Sequence, residues 1–500
     1  MSHGGIRQGL LSWPAASDSY RAGFGLDGVT VPDPSTLYRR GNDFLAQGRP
    51  AEALADFDAA LQAVGDHPDL LNSRGIALQM LERRDRALAD FERAVALAPG
   101  NPLLHANRGA VLTEMGRHQD AAQSLGTAAR LDPGNATTQH NFGNVLRTLD
   151  RTVEALAAYD RALALQPNYV DALIARGLAS VDLHRLDEAK VNLDHALALA
   201  PDHPKAHLNA AIRDLLAGDL ARGFAGYEWR WRNPPNSDWA RGFAQPLWLG
   251  SEDIAGKTLL LHAEQGLGDT LHFCRYAAVA ARRGARVVLE VQKPLVRLLS
   301  SLEGVAAIVA QGDALPAFDL HCPLMSLPLA LGGIPHDVPY IKTPPSGWAT
   351  PLPPGKRIGL SWSGNPALKN DRHRSIALAR FAPLLTGPSI ISVQKDLRPE
   401  DAAFAAGRIA HYGADLHDFA DTAALISAMD VVVTVDTAAA HLAGAMGKPV
   451  YILLPYIGVD WRWGIAGDTT PWYPTARLLR QPEPGDWDSV IARLAAELSQ

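Results

Sequence analysis

A proline that recurs every 34 residues organises the chain up to residue 201. Its copies are Pro99, Pro133, Pro167 and Pro201. Small and large residues recur at the same interval: Gly41, Gly75, Gly109, Gly143 and Gly177; Ala53, Ala87, Ala121, Ala155 and Ala189; Ala60, Ala94, Ala128, Ala162 and Ala196; and Phe57, Phe91, Leu125, Tyr159 and Leu193. Small residues let two helices approach closely, large ones fill the space between them, and proline ends the second helix because it cannot continue the hydrogen-bond ladder. The pattern predicts a repeated pair of helices.

This pattern resembles the tetratricopeptide repeat family over Pro34 to Pro201. The resemblance implies a right-handed helical solenoid whose concave groove binds a peptide or protein segment. A sixth unit, Pro204–Trp231, keeps the helical spacing, has Ala211 at the glycine position and ends in the aromatic and basic run YEWRW. Terminal repeats cap the stack and are usually atypical. This unit is either a plain cap or, as its aromatic and arginine content suggests, a cap that docks on the following domain.

Composition restricts the protein class only broadly. An apolar fraction of 47% and a charged fraction of 20% are typical of a soluble globular protein, and a net charge of -6 gives no reason to expect nucleic acid as a partner. The two cysteines, Cys274 and Cys322, lie in apolar segments, which argues against a disulfide framework or a cysteine metal cluster. With no secretory signal and no apolar run of about 18 residues, we expect a cytoplasmic protein without a membrane span. Nothing in the sequence indicates an oligomeric state.

Beyond the repeats and a linker, Asn233–Ser251, apolar strands alternate with helical segments. The first series is predicted as strand Thr258–Ala263, helix Asp269–Arg282, strand Ala285–Val291, helix Leu295–Leu302 and strands Ala306–Ala310 and Asp319–Cys322. After a proline-rich bridge, Pro339–Pro354, the second series has predicted strands Arg357–Trp362, Ser389–Val393, Asp430–Val435 and Val450–Leu454. This alternation indicates two parallel sheets with helices on both faces, which bind ligands at the carboxyl ends of their strands.

The predicted fold class is therefore α plus α/β, an α-solenoid followed by two Rossmann-like domains. In residue numbers, 1–33 form a mobile tail and 34–232 the solenoid of five repeats with a capping sixth. Residues 233–350 form the first α/β domain, and 351–500 form the second, which ends in the helix Trp487–Leu498.

The segment Val431–Pro455 carries the strongest binding signal. An apolar strand ends at Asp436, and Thr437 is a good N-cap for the predicted helix Ala438–Met446. Free N–H groups and the helix dipole at such a turn attract anions. His441 lies one helical turn beyond Thr437, so we expect both side chains to flank the same mouth. We interpret this turn as the site of a nucleotide diphosphate.

The first α/β turn reads HAEQGLGDTLHF, from His262 to Phe273. Gly266 and Gly268 allow close approach of the backbone to a ligand. A dinucleotide fingerprint requires glycine or alanine where Leu271 stands, which argues against NAD. Asp269 is either a plain helix cap or a general base at the cleft between the domains. His262 is the second candidate base, with a structural role as its alternative.

A polar loop, Ser361 to Ile376, follows the first strand of the second series and lacks apolar periodicity. It is either a solvated loop or an anion site. The short run Ser392 to Leu397 follows the next strand and is suited to contact a base or a phosphate. The candidate ligand-binding residues of these two segments are Ser363, Asn365, Lys369, Arg372, His373, Arg374, Ser375, Gln394 and Lys395.

From Thr258 to Gln481 the chain resembles the bacterial glycosyltransferases related to the ADP-heptose heptosyltransferases. The matching residues are GLGDTLHF, DTAAAHLAGAMGKPV and, for the versions fused to tetratricopeptide repeats, DWRWGIAGDTTPWYPTARLLRQ. The resemblance implies a GT-B fold, a nucleotide-sugar donor bound by the second domain near Asp436, Thr437, Ala438 and His441, Asp269 as the base, and neither metal nor cofactor. The sequence has no Asp-x-Asp motif at a strand end, which agrees with a metal-free site.

Lipopolysaccharide heptosyltransferases lack the long repeat array, so the resemblance does not imply heptose or a lipid acceptor as a substrate of this chain. Repeats followed by a GT-B region resemble the O-linked N-acetylglucosamine transferase type and bacterial flagellin glycosyltransferases. This architecture implies transfer of a sugar to a Ser or Thr hydroxyl of a protein held by the repeats, such as flagellin. The alternatives are a non-enzymatic adaptor with a degenerate scaffold, a glycosyltransferase for glycan or lipid acceptors, and a nucleotide-sugar epimerase.

Overall fold

A computed structural model of the chain describes residues 33–233, 240–343, 348–385 and 387–499. The predicted tail lies outside the described residues except for Asp33, as do Pro234 and Pro235 of the predicted linker. The chain forms two compact units, one ending at Ser180 and the other beginning at Val181. The predicted solenoid of 34–232 therefore runs through both units, and the four-part division of the chain stays a prediction.

The first unit consists of helices that pack in consecutive pairs, as the repeat predicts. Proline occupies the first turn of several of them, where its missing N–H group has no intrahelical partner to lose. The helices are α1 (Pro34–Ala46), α2 (Pro50–Val64), α3 (Pro68–Met80), α4 (Arg84–Leu97), α5 (Pro102–Glu114), α6 (His118–Leu131), α7 (Ala136–Thr148), α8 (Thr152–Leu165) and α9 (Val170–Asp182), whose last residues enter the second unit.

Glycine and a large residue meet inside each of these pairs. A Cβ atom added to Gly75 would lie 2.7 Å from Cε1 of Phe91, and one added to Gly143 would lie 2.5 Å from Cε1 of Tyr159. Both rings are completely buried. The glycines therefore occupy the positions where the two helices approach most closely, which confirms the predicted role of the small residues.

The second unit begins with the last helices of the solenoid, α10 (Leu186–Leu199), α11 (Pro204–Leu216) and α12 (Leu220–Tyr227), followed by the 3-10 turn Glu228–Arg232. Leu215 and Phe224 belong to the same hydrophobic core as Leu259 and Leu261 of the first sheet. The ring of Phe224 also meets Trp461 edge to face, with 5.3 Å between the ring centroids. The end of the solenoid and the α/β region thus share one core.

A buried arginine of the YEWRW run fixes this contact. Arg230, which is 1% exposed, donates to both carboxylate oxygens of Glu264 at 3.0 and 3.1 Å. It also donates to Ser326 at 2.7 Å and to Glu228 at 2.7 Å, and its guanidinium lies 4.4 Å from the centre of the Trp231 ring. The predicted docking of the cap on the next domain is confirmed.

Both sheets are parallel, as predicted. The first has the strand order β3-β2-β1-β4, and its elements are β1 (Thr258–His262), α13 (Leu267–Phe273), α14 (Tyr276–Arg282), β2 (Arg286–Val291), α15 (Val296–Leu299), β3 (Val305–Ala310), β4 (Leu320–Pro323) and α16 (Leu327–Leu331). The prediction of one helix over Asp269–Arg282 is wrong, because the helix breaks after Phe273. Arg275 stabilises the break by donating to the carbonyl of His272 at 2.9 Å and that of Trp472 at 3.0 Å.

The second sheet has the strand order β10-β9-β8-β5-β6-β7. Its elements are β5 (Arg357–Ser361), α17 (Asp371–Arg374), β6 (Ser389–Ser392), α18 (Pro399–Ala405), β7 (Ala410–His411), α19 (Phe419–Ser427), β8 (Val431–Val435), α20 (Ala438–Ala445), β9 (Val450–Leu454), β10 (Ala476–Arg480) and α21 (Trp487–Leu498). The four predicted strands are present. Two further strands were not predicted from the sequence: β7, which has two residues, and β10, whose short apolar core is flanked by arginines. Among the helices of the described residues, none combines the length and apolarity needed to cross a membrane.

The first prediction concerns the glycine contacts of the solenoid. We expect Gly75→Ala to lower the free energy of unfolding by about 1–3 kcal/mol, because the new methyl group overlaps the buried Phe91 ring. Gly100→Ala is the matched control, since a Cβ there meets nothing within 4 Å, and it should change stability by less than about 0.5 kcal/mol. Denaturant unfolding of both variants measures the difference, and equal stabilities would contradict the packing role of Gly75.

The second prediction concerns the pH dependence that Glu264 confers. Burial raises the pKa of Glu264 from 4.5 to about 7, against the opposing effect of Arg230. The folded protein therefore keeps the Glu264 proton to higher pH than the unfolded chain does. The stability that this proton contributes is complete below pH 4.5 and is lost as the pH rises to about 7. We expect Glu264→Gln to weaken this loss between pH 4.5 and 7 in denaturant titrations. An unchanged pH slope would contradict the prediction.

Candidate functional site

The candidate site lies where the strand order of each sheet reverses. In the second sheet β5 and β8 are the neighbours from which the order runs in opposite directions, and their carboxyl ends lead into the loops 362–370 and 436–437. In the first sheet the reversal lies between β1 and β4, and β1 leads into the loop 263–266. Ligands of open parallel sheets bind at such reversal points.

Two helices bring these loops together. A Cβ atom added to Gly268 at the start of α13 would lie 2.9 Å from Cδ2 of His441 and 3.5 Å from Cα of Ala438, at the start of α20. The two turns that the sequence analysis selected, Gly266–Asp269 and Asp436–His441, are therefore neighbours. Only a glycine at position 268 permits this contact without displacing the ring of His441.

Asp269 projects from the first turn of α13. Its Oδ2 accepts a hydrogen bond from the backbone N–H of Gly266 at 3.0 Å, and its Oδ1 accepts one from Nη2 of Arg462 at 2.5 Å. Burial raises the pKa of this carboxyl group, and the Arg462 guanidinium opposes the increase. The side chain remains 24% exposed, so Asp269 is a helix cap that still has access to a ligand.

Arg462 connects the acidic residues of the site and was not singled out from the sequence. It is 4% exposed and also donates to Asp460 at 2.9 and 2.8 Å. Burial and repulsion from Asp460 raise the pKa of Asp436 to about 6. The available signal was the run DWRWG, in which an arginine stands between two tryptophans; here Trp461 and Trp463 are both buried.

His262, the second candidate base, lies apart from these groups. Its side chain is 2% exposed, its Nε2 is 3.2 Å from Nδ1 of His321, and Phe243 covers the ring edge to face. Burial, with contributions from His321 and Arg241, lowers the pKa of His262 to about 3. A neutral, enclosed imidazole of this kind supports the structural alternative for His262.

Thr437 occupies the N-cap position of α20, as predicted. Within the described part of the chain its side chain caps no N–H group of the first turn, and its hydroxyl lies 3.3 Å from that of Thr434. His441 is buried, places Nδ1 3.0 Å from the hydroxyl of Tyr473 and stacks on Trp463. Burial lowers its pKa, so His441 supports the turn as a neutral ring.

The loop after β5 is tied to the turn after β8. Nη1 of Arg374 donates to the carbonyl of Asp436 at 2.8 Å. The hydroxyl of Ser375 accepts from the N–H of Gly364 at 3.0 Å and from Arg398 at 3.0 Å. Arg398 also pairs with Asp371. This network gives the loop a defined shape, which argues against the alternative of a merely solvated loop.

The remaining candidates divide into supporting and exposed residues. Gln394 accepts from the N–H of Trp362 at 3.0 Å and donates to Ser363 at 3.2 Å, so it fixes the loop at its base. Four candidates have exposed side chains on or beside the loop: Asn365, Lys369, Arg372 and Lys395.

A cavity of about 300 Å³ opens beside Asp269. Its lining includes Asp269, Asp460 and Arg462, together with Asn370 from the loop after β5. The cavity therefore joins the first turn of the first sheet to the loop of the second. The cavity, the candidate base Asp269 and the loop after β5 are therefore parts of one continuous candidate site.

Two known families match parts of the chain. The tetratricopeptide repeat family matches over residues 38–102, 73–136, 107–170 and 140–189. Glycosyltransferase family 9 (heptosyltransferase) matches over residues 417–453, which contain α19, β8, the Asp436–His441 turn and most of β9.

Among curated proteins, the chain is 26% identical over 326 residues to Protein FlbA of Caulobacter vibrioides, covering 57% of this chain and 53% of that protein. The chain thus spans about half the length of this relative. Among solved structures, YrrB, a TPR protein with an unusual peptide-binding site, is 24% identical, covers 35% of this chain and 90% of its own and has a TM-score of 0.32. A tetratricopeptide repeat protein from Parabacteroides merdae is 19% identical, covers 41% and 82% and has a TM-score of 0.37.

The matches cover the repeats on one side and the turn at the candidate site on the other. They agree with the solenoid and the two parallel sheets. The chain thus combines tetratricopeptide repeats with an α/β region that matches glycosyltransferase family 9 over residues 417–453.

Proposed function

We propose that the protein is a protein O-glycosyltransferase that moves a sugar from a nucleotide-sugar donor to a Ser or Thr hydroxyl. The observation that carries the proposal is the contact of Gly268, which directly precedes Asp269, with the Asp436–His441 turn. That turn lies in the segment that matches glycosyltransferase family 9. The repeats bind the acceptor protein, with flagellin as the first candidate, and the two α/β domains form a GT-B enzyme that needs no metal.

The donor diphosphate occupies the start of α20. First-turn N–H groups and the helix dipole attract its charge there. Arg374, which bonds to the carbonyl of Asp436, fixes the adjacent loop, and the exposed Lys369, Arg372 and Lys395 supply positive charge. Fixed cations and dipoles of this kind stabilise the leaving diphosphate as negative charge builds on it.

Asp269 acts as the general base. As the acceptor hydroxyl oxygen attacks the anomeric carbon, the bond from that carbon to the diphosphate breaks and Asp269 takes the hydroxyl proton. The raised pKa of Asp269 favours this transfer because it makes the carboxylate more basic than a free aspartate. Arg462 keeps the group ionised and holds it in position.

The third prediction tests the base. We expect Asp269→Asn to reduce sugar transfer by about 10²–10⁴-fold while the affinity for nucleotide stays unchanged, because the amide keeps the shape but cannot accept the proton. Mass spectrometry of the acceptor and calorimetry with nucleotides measure the two effects. The matched control is Asp253→Asn, an exposed aspartate that caps Ala255 in the same region. Unchanged turnover in Asp269→Asn would disprove the assignment.

The fourth prediction tests the donor site. We expect the double variant Lys369→Ala and Lys395→Ala to weaken binding of nucleoside diphosphates at least about tenfold, since a single hydrogen bond to a charged group contributes about 1.5–3 kcal/mol and about 1.4 kcal/mol corresponds to tenfold in affinity. Lys342→Ala is the control, because Lys342 adjoins Ile341, which bonds to Ala445 at the opposite end of α20.

Calorimetry with uridine, guanosine, adenosine and cytidine diphosphates provides the measurement for the donor site. Binding of none of these nucleotides by the unaltered protein would refute the enzyme and favour the adaptor alternative.

A further inference from the structure

The cavity beside Asp269 has walls from the end of the solenoid as well as from the α/β region. Ile212 of α11 and Tyr227 at the end of α12 lie on one side, with Asp269, Asn370 and Arg462 on the others. The contribution of Ile212 and Tyr227 does not follow from the family matches, which end at residue 189 and resume at 417.

We propose that this cavity is the acceptor subsite, that it takes an uncharged hydroxyl-bearing group, and that Ile212 limits which group fits. The inference rests on the proposed function and names the substrate class and a specificity-determining residue of that site.

The volume restricts the occupant. A cavity of about 300 Å³ is at the lower end of the range of about 300–1,000 Å³ that small-molecule sites cover. An amino-acid side chain or a single sugar ring fits such a space, whereas a nucleotide joined to its sugar requires more. The nucleotide is thus assigned to the start of α20 and the cavity to the acceptor.

The charges of the residues that line the cavity further restrict which group can occupy it. Arg462 is the cation among the described lining residues, and both its carboxylate partners, Asp269 and Asp460, also line the cavity. One positive and two negative groups leave the cluster with a negative charge when both carboxylates are ionised. A phosphate is repelled there, while an uncharged hydroxyl finds an acceptor in Asp269.

The solenoid side of the cavity is fixed to the loop 263–266, which directly precedes the helix that carries Asp269. Nε2 of Gln265 donates to the hydroxyl of Tyr227 at 3.1 Å, and Arg230 holds the adjacent Glu264. Phe224 packs against Trp461, next to Arg462. Because the wall and the base are joined by these contacts, an occupant of the cavity touches the end of the solenoid and Asp269 together.

The decisive variant is Ile212→Trp, which places a larger side chain in the cavity. We expect transfer to fall at least about tenfold, a loss of the size that small changes in an apolar pocket produce, while affinity for nucleoside diphosphates stays within about twofold. Lys205→Trp is the matched control, since Lys205 is exposed on the same helix and should change neither quantity. Retained nucleotide binding also demonstrates that the variant folds.

Acceptors are offered in three sets, so that the source of the hydroxyl is identified: peptides with one serine, the same peptides with threonine, and methyl glycosides. Ile212→Ala, which enlarges the cavity, should raise threonine transfer relative to serine transfer. Transfer to peptides supports a Ser or Thr side chain in the cavity, and transfer to glycosides alone supports a sugar hydroxyl.

The possible failures are distinguishable. If the unaltered protein binds no nucleotide, the proposed function fails and the inference fails with it. If it binds nucleotide but transfers to none of the three sets, or if Ile212→Trp transfers as well as the unaltered protein does, the donor site stands and the acceptor subsite is refuted.

Discussion

The guanidinium of Arg462 is shared between two carboxylates from different parts of the α/β region, and the geometry of the site depends on it. It reaches Asp460 within its own loop and Asp269 on the first turn of α13. Burying an unpaired charge raises the free energy of the folded state, and the two carboxylates offset this cost by pairing with the Arg462 guanidinium. Since Gly268, the neighbour of Asp269, lies against the turn that opens α20, the pair fixes the base candidate beside the proposed anion site.

Arg230 has the same function between the solenoid and the first sheet. Arg230 reaches the carboxyl end of β1 and donates hydrogen bonds to the carboxylate of Glu264, which lies two residues before Gly266. The segment from Glu264 to Asp269 is therefore held at both ends, by Arg230 of the solenoid cap at Glu264 and by Arg462 at Asp269. In this arrangement the last repeat caps the repeat stack and also forms a structural part of the candidate site.

Periodic and local features were predictable from the sequence, and long-range side-chain contacts were not. The contact between Gly75 and Phe91 was predictable because the same pair of a small and a large residue recurs at a fixed spacing along the repeats. The turn at Asp436 was predictable because strand, cap and helix signals adjoin in the chain. By contrast, the helix break after Phe273 depends on Arg275 reaching Trp472, which no local pattern reveals. The sequence placed Asp269 before His262 as the candidate base but left the choice open, because the burial that separates the two side chains is a property of the packed structure.

The cost of the buried charges bears on whether the α/β region is an enzyme or a scaffold. Replacing buried ion pairs by apolar residues is often neutral or stabilising, so stability alone does not require Asp269, Asp460, Arg462 and the acidic Asp436 to meet. A scaffold that only supports the repeats gains nothing from raising the pKa of Asp436 to about 6 or from leaving Asp269 partly exposed at a cavity. Shifted ionisation next to a cleft is common at catalytic sites, where it puts proton acceptors near the pH at which they work. The arrangement of charge thus supports the transferase over the adaptor, on grounds independent of the family matches.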